Sequence, residues 1–161
     1  MKRREAIRSV VLISAGAAFL YQCKEKAASI SLKQIPLTGA EQEMINELTE
    51  FIIPKTDFPG ARDLKTGDFV LMMADDILSP EEQAKFEGGM KVFTGKGFAK
   101  MSPEERNEFV NALEGDPKTF YEMVKQGTIE NFTSSEKYLK EVRNVTDLVP
   151  SKFQACIPVN S

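Results

Sequence analysis

The 161-residue sequence has no histidine, no tryptophan and only two cysteines, Cys23 and Cys156. Lack of histidine removes the commonest general base and the commonest transition-metal ligand. It also excludes every catalytic triad built on imidazole. Two thiols near opposite ends of the chain cannot build a disulfide framework, and no CxxC pair is present for zinc or thiol exchange. No CxxCH motif offers covalent haem attachment. Gly95-Lys96-Gly97 lacks a third glycine and a preceding strand, so it does not match a dinucleotide fingerprint, and no Walker A sequence occurs. From these absences the chain is expected to hold no catalytic residue, no cofactor site and no metal site of its own.

Neither sign of charge dominates the chain as a whole, with 21 Lys and Arg against 24 Asp and Glu. The formal net charge is -3, and the positive excess of Lys2, Arg3, Arg4 and Arg8 over Glu5 is confined to the first 22 residues. The remainder is therefore more acidic than the whole. Nucleic-acid binding needs a basic face to displace counterions, and anionic lipid attracts basic surfaces. Neither is expected of the rest of the chain. With 42% hydrophobic residues, there is material for one modest core.

Long apolar runs are also missing, apart from one. Val10 to Leu20 follows the basic stretch Lys2 to Arg8. A membrane-spanning helix needs roughly 20 apolar residues, and this run is shorter. It fits the apolar region of a signal peptide, and Arg3-Arg4 resembles a twin-arginine export signal. Cys23 closes the run at the position of a lipoprotein's acylated cysteine, although Gln22 before it is larger than signal peptidases prefer. Acylation would hold the protein on a membrane surface, not across it. The expected organisation is a signal peptide over 1–23, a polar linker over 24–36 and a helical domain over 37–161.

What remains is rich in helix signals. Thr38-Gly39-Ala40-Glu41 has capping-box spacing, and Met44, Leu48, Phe51 and Ile52 follow at helical intervals before Pro54. Thr66 to Leu78 is expected to be a helix with Phe69, Met72, Met73 and Ile77 on its inward face. Ser79-Pro80-Glu81-Glu82 and Ser102-Pro103-Glu104-Glu105 start two more helices. Phe86, Met90 and Phe93 line the first of these; Phe109, Val110 and Leu113 line the second. Gly115-Asp116-Pro117 opens a helix in which Phe120, Met123 and Val124 face inward. A separate short segment is expected over Thr128 to Phe132, then a last helix over Glu136 to Arg143. Nothing alternates with period two for long. The fold class is all-α: a bundle of about five to six helices with an extended C-terminal tail.

Few side chains suggest chemistry. Asp75 and Asp76 are neighbours on a helix, about 100° apart, and are read as a solvated face. Asp57 and Asp63 flank Gly60 in the loop Pro54 to Ala61, where Asp57 is expected to cap the turn. The spaced acidic ligands of a calcium loop are missing. Met72, Met73, Met90, Met101 and Met123 read as soft core filling. If Cys23 is cleaved or acylated, Cys156 has no intrachain partner; it is then buried, free or bridged to another chain.

Several segments resemble the gluconate 2-dehydrogenase subunit 3 family. They are Arg3-Arg4-Glu5-Ala6, the run Ile52-Ile53-Pro54-Lys55-Thr56-Asp57-Phe58-Pro59-Gly60-Ala61, Gly67-Asp68-Phe69-Val70, Phe132-Thr133-Ser134-Ser135-Glu136, and Val149 to Pro158. The resemblance implies a non-catalytic accessory subunit of a periplasmic flavoprotein dehydrogenase of the glucose-methanol-choline type. FAD is then expected in the partner subunit, with a cytochrome c subunit as a possible acceptor. The twin-arginine translocase would export the folded, flavin-loaded complex on this chain's signal. Partner contact is expected at Pro54, Thr56, Asp57, Pro59 and Gly60, and at Phe153, Cys156 and Pro158. The alternative is a standalone envelope lipoprotein that binds a small ligand or an envelope component.

Overall fold

Three helices begin on the same local device. Thr38 Oγ1 accepts from the Glu41 N–H at 3.3 Å, while the Glu41 carboxylate accepts from the Thr38 N–H at 2.9 Å. Ser79 with Glu82, and Ser102 with Glu105, repeat this reciprocal pair. Each pair satisfies two donors that a helix start leaves open. These caps begin α1 (Gly39–Ile52), α3 (Pro80–Gly95) and α4 (Pro103–Asn111). α2 (Thr66–Ile77) starts from Lys65, which holds a left-handed φ of 53°. A short 3-10 turn, Phe98–Lys100, separates α3 from α4, and α5 (Gly115–Ser134) and α6 (Glu136–Glu141) complete the order. The structure, a computed structural model, describes residues 27–145. Among them there are six α-helices and no sheet, so the chain is an all-α bundle. The expected C-terminal tail lies outside the described residues.

One expected break does not occur. Thr128 to Phe132 is not a separate segment but the last third of α5. The Thr128 hydroxyl donates to the Val124 carbonyl at 2.6 Å, and Thr128 is fully buried. Its polar group is satisfied inside the helix, so it has no need of a turn.

The core is built on phenylalanine. α3 and α5 make the most extensive helix pair, with α2 packed on α5 and α1 laid across α2 and α3. Phe86, Phe93, Phe98 and Phe120 are essentially without exposure. Phe120 meets Phe86 and Phe93 with ring centroids 5.0 Å away in both cases, edge to face. Phe93 meets Phe109 of α4 at the same 5.0 Å. Such pairs contribute about 1 kcal/mol each beyond area burial. α1 adds Met44, Ile45 and Leu48 to this cluster.

Of the four residues expected to line the inward face of α2, only Met73 is half-buried, where it lies against Gly127 of α5. Val70, Leu71 and Ala74 are buried, whereas Phe69 is 37% exposed, Met72 47% and Ile77 73%. Two apolar stripes compete on this helix. The buried stripe is the one that contains Gly67, whose missing side chain admits Asn46 of α1. A helix packs through the face that lets the backbones approach, and periodicity alone does not rank two apolar faces. The methionines divide accordingly: Met90 is buried and Met72 is not.

Asp75 also departs from expectation. It is 2% exposed, while Asp76 stays on the surface. Its carboxylate accepts the N–H groups of Lys33, Gln34 and Ile35, each at 2.8 Å. The Asp75 carbonyl accepts from the Gln34 and Gln83 amides, each at 3.0 Å. Desolvation pushes the Asp75 carboxyl upward, but the three backbone donors outweigh it and hold the acid below its ordinary 3.8. Residues 27–37, read as mostly linker, thus run along the bundle, with Ile35 buried in the core and Ile30, Leu32 and Leu37 packed against it.

Two outcomes follow from this packing. A Cβ on Gly89 would stand 2.2 Å from the Phe120 Cβ, whereas one on Gly88 would meet nothing within 4 Å. Gly89→Ala is expected to cost about 2 kcal/mol through overpacking, and Gly88→Ala to gain up to about 1 kcal/mol through helix propensity. Urea denaturation of the two variants measures both signs. For Asp75, the folded pKa lies below the unfolded one, so its contribution is complete above the ordinary carboxylate range and fades as pH falls below about 3.8. The stability gap between the wild type and Asp75→Asn should narrow as the pH falls through that acid window. A gap that stays constant from pH 7 to pH 2 would contradict the charged clamp.

Candidate functional site

The loop between α1 and α2 is the most specific part of the sequence, and the structure shows how it keeps its shape. Glu50, in the last turn of α1, reaches over it. One carboxylate oxygen accepts the Lys55 N–H at 2.8 Å and the other the Arg62 N–H at 2.9 Å. The Ala61 N–H returns to the Ile53 carbonyl at 3.0 Å, closing the loop at its base. Inside it, Thr56 N–H donates to the Phe58 carbonyl at 3.0 Å, and Thr56 Oγ1 accepts the Phe58 N–H at 3.3 Å. The turn cap is therefore Thr56, not the expected Asp57, which is exposed.

Both ends of the loop are anchored to other elements. Phe58 sits edge-on to Phe132 of α5 at 5.7 Å, and Phe132 stacks against Tyr138 of α6 at 5.6 Å. Arg62 pairs with Glu43 at 2.7 Å and with Glu47. Glu47 also holds Arg106 of α4 at 2.8 Å, whose guanidinium lies 5.1 Å from the centre of the Phe98 ring. The hydrogen bond to Glu43 keeps the Arg62 guanidinium above its ordinary pKa. Lys55 pairs with Asp63 at 3.0 Å and holds that carboxyl low, but the pair is largely solvated and adds little stability.

Between the loop and α6 lies an open groove of about 450 Å³, bordered by Lys55, Asp57, Phe58, Pro59 and Lys137 over Leu64. It mixes charge of both signs and has no enclosed wall. That is a surface shaped for contact more than a chamber for a small substrate.

Of the residues expected to meet a partner, Pro54, Thr56 and Asp57 are exposed side by side, Pro59 is half-buried and Gly60 is buried. Gly60 serves the loop itself: a Cβ there would lie 2.6 Å from both Glu50 oxygens and from the Lys55 nitrogen. Phe153, Cys156 and Pro158 lie outside the described residues, as do Arg3, Arg4 and Cys23. Sequence reasoning missed Glu50, whose role needs two amides that are five and twelve residues onward. It also missed the outward Phe69 and Met72, which begin one turn after the loop ends. Among the described residues, no helix is long and apolar enough to cross a membrane.

These features define a small helical domain whose loop between α1 and α2 is held by the Glu50 carboxylate. The Gluconate 2-dehydrogenase subunit 3 family model matches residues 39–148, more than half of the chain, and the chain belongs to that family. The match begins at the first residue of α1 and takes in the stapled loop and all six helices. No curated protein and no solved structure matches the chain.

The staple makes a direct expectation. Glu50→Ala leaves the Lys55 and Arg62 amides without their acceptor, and Gly60→Ala drives a methyl group into the same carboxylate. Both variants should raise hydrogen exchange across 54–62 by about tenfold, a loss of about 1.4 kcal/mol in local stability. Exchange in α3 and α5 should stay unchanged. Equal loosening of all helices would mean that Glu50 supports the bundle and not the loop.

Proposed function

We propose that this chain is a non-catalytic accessory subunit of a periplasmic, FAD-dependent sugar or alcohol dehydrogenase of the glucose-methanol-choline type. The family to which it belongs is named as a subunit, which makes catalytic partner chains plausible. The observation that carries the reading is the exposed apolar surface of α2. Phe69 and Met72 stand outward within one turn of each other, in the helix that follows the loop stapled by Glu50. Exposed large apolar side chains next to a pre-ordered loop favour contact with another protein, because little conformational entropy is lost on docking.

In this reading the flavin and the chemistry belong to the partner, and electrons leave through a cytochrome c subunit or another acceptor. Arg3 and Arg4 supply the export signal, and the twin-arginine route suits a partner that must load its cofactor before it crosses the membrane. Acylation at Cys23 would keep the complex at the membrane surface. Pro54, Thr56 and Asp57 are assigned to the contact with the flavoprotein, together with Phe69 and Met72. Phe153, Cys156 and Pro158 extend it from the C-terminal segment.

A mild pull-down from native membranes tests this. A larger co-purifying chain with a flavin absorption spectrum is the expected result. Phe69→Asp with Met72→Asp should weaken that association by at least about tenfold, with helicity retained. Removal of residues 149–161 should also lower recovery of the flavoprotein. A colourless monomer, from a host that expresses the flavoprotein, would turn the assignment towards a standalone envelope lipoprotein.

A further inference from the structure

Residues 27–37 are stapled to two helices, α1 and α2. Gln42 of α1 accepts the Ser29 N–H through Oε1 and donates through Nε2 to Ser29 Oγ, both at 2.7 Å. The same Nε2 donates to Asp68 of α2 at 2.8 Å. Asp75 of α2 accepts three successive amides, Lys33 to Ile35, and Gln83 of α3 joins at the Asp75 carbonyl. Lys33 Nζ pairs with Asp76 at 2.8 Å on the surface. Ala27 bridges Thr38, the cap of α1. The strap is therefore a hairpin that carries the chain back to the start of α1, and its register is fixed twice, at Ser29 and at 33–35.

We propose that this strap is a rigid mount that fixes the point where the upstream chain leaves the bundle, and so holds the start of α1 close to the membrane surface. The membrane part rests on the reading of Cys23 as acylated. The argument is one of reach. From Cys23 to Ala27 is four residues, which span at most about 14 Å when fully extended. With the strap released, the first fixed residue becomes Thr38, and fifteen residues span at most about 50 Å. The clamp therefore shortens the leash more than threefold. It also gives the bundle one end to turn to the lipid, the end that carries Ala27, Ser29 and Gly39, with the Pro54–Ala61 loop at the other end of α1. Apolar packing alone could hold Ile35, but it would let the strap slide. A buried carboxylate that binds three consecutive amides sets a single register.

The test uses the full chain, purified from membranes and returned to phosphatidylcholine vesicles that contain a rhodamine-headgroup lipid. Cys156→Ser removes the C-terminal thiol, and Ala40→Cys, on the exposed side of the first turn of α1, takes a donor dye. The wild-type strap should give strong energy transfer and slow exchange at the 33–35 amides. Asp75→Ala together with Gln42→Ala, which removes both staples, should speed that exchange by at least about a hundredfold and lower the transfer, as expected of a leash whose mean span about doubles. Asp75→Asn, which keeps the volume and one acceptor oxygen, should fall between, and guards against simple misfolding; circular dichroism checks that the helices persist. Fast exchange with unchanged transfer would overturn the mount, as would unchanged exchange at 33–35. A chain that does not stay with the vesicles at all, while its strap remains protected, would sink the acylation reading and with it the membrane-facing end.

Discussion

The seat of Phe120 on Gly89 is the contact on which the bundle depends. At that point α3 and α5 approach so closely that no side chain fits on α3, and the ring is free to meet both Phe86 and Phe93. The aromatic cluster then extends through Phe93 and Phe98 to Phe109, so the 3-10 turn and α4 are drawn in by the same rings. α4 buries no residue fully, and its place is held by Phe109 and by Arg106 over Phe98. α1 and α2 close over the remaining sides with aliphatic residues and methionine. In a domain of this size a single well-packed cluster has to supply most of the stability.

Polar side chains then do what packing cannot: they set register in the segments without helix. Glu50 fixes the loop between α1 and α2, and Asp75 fixes the strap that precedes α1. Both use one carboxylate to satisfy several backbone N–H groups, which hydrogen-bond more strongly to a charged acceptor than to a neutral one. The two devices lie on neighbouring helices and serve different ends of the chain. The loop faces outward, where we propose that it meets a partner, and the strap is drawn inward against the bundle.

Much of this fold was legible in the residues. Thr38, Ser79 and Ser102, each with a Glu three positions on, announced three helix starts, and the structure has all three as reciprocal caps. Phe86, Met90, Phe93, Phe120 and Val124 were expected inside and are. The loop Pro54 to Ala61 stood out by its composition, although its cap proved to be Thr56 and its glycine a packing requirement. Two expectations failed for one reason. The outward turn of Phe69 and Met72 and the burial of Asp75 are the same rotation of α2, chosen when Gly67 docked on α1. A helix with apolar residues on two sides carries no internal signal of which one wins.

The sequence by itself determined where helices start, that they are all the regular structure among the described residues, and which family the chain belongs to. Those properties rest on bonds between residues three or four apart and on motifs contiguous in the chain, so they are present before anything folds. Only the tertiary structure decided which face of α2 is buried, that Asp75 grips residues some forty positions earlier in the chain, and that Glu50 shapes the loop. Each of these depends on a backbone N–H or a side chain brought close by packing elsewhere, and their cost or gain arises only once water has been excluded from between them.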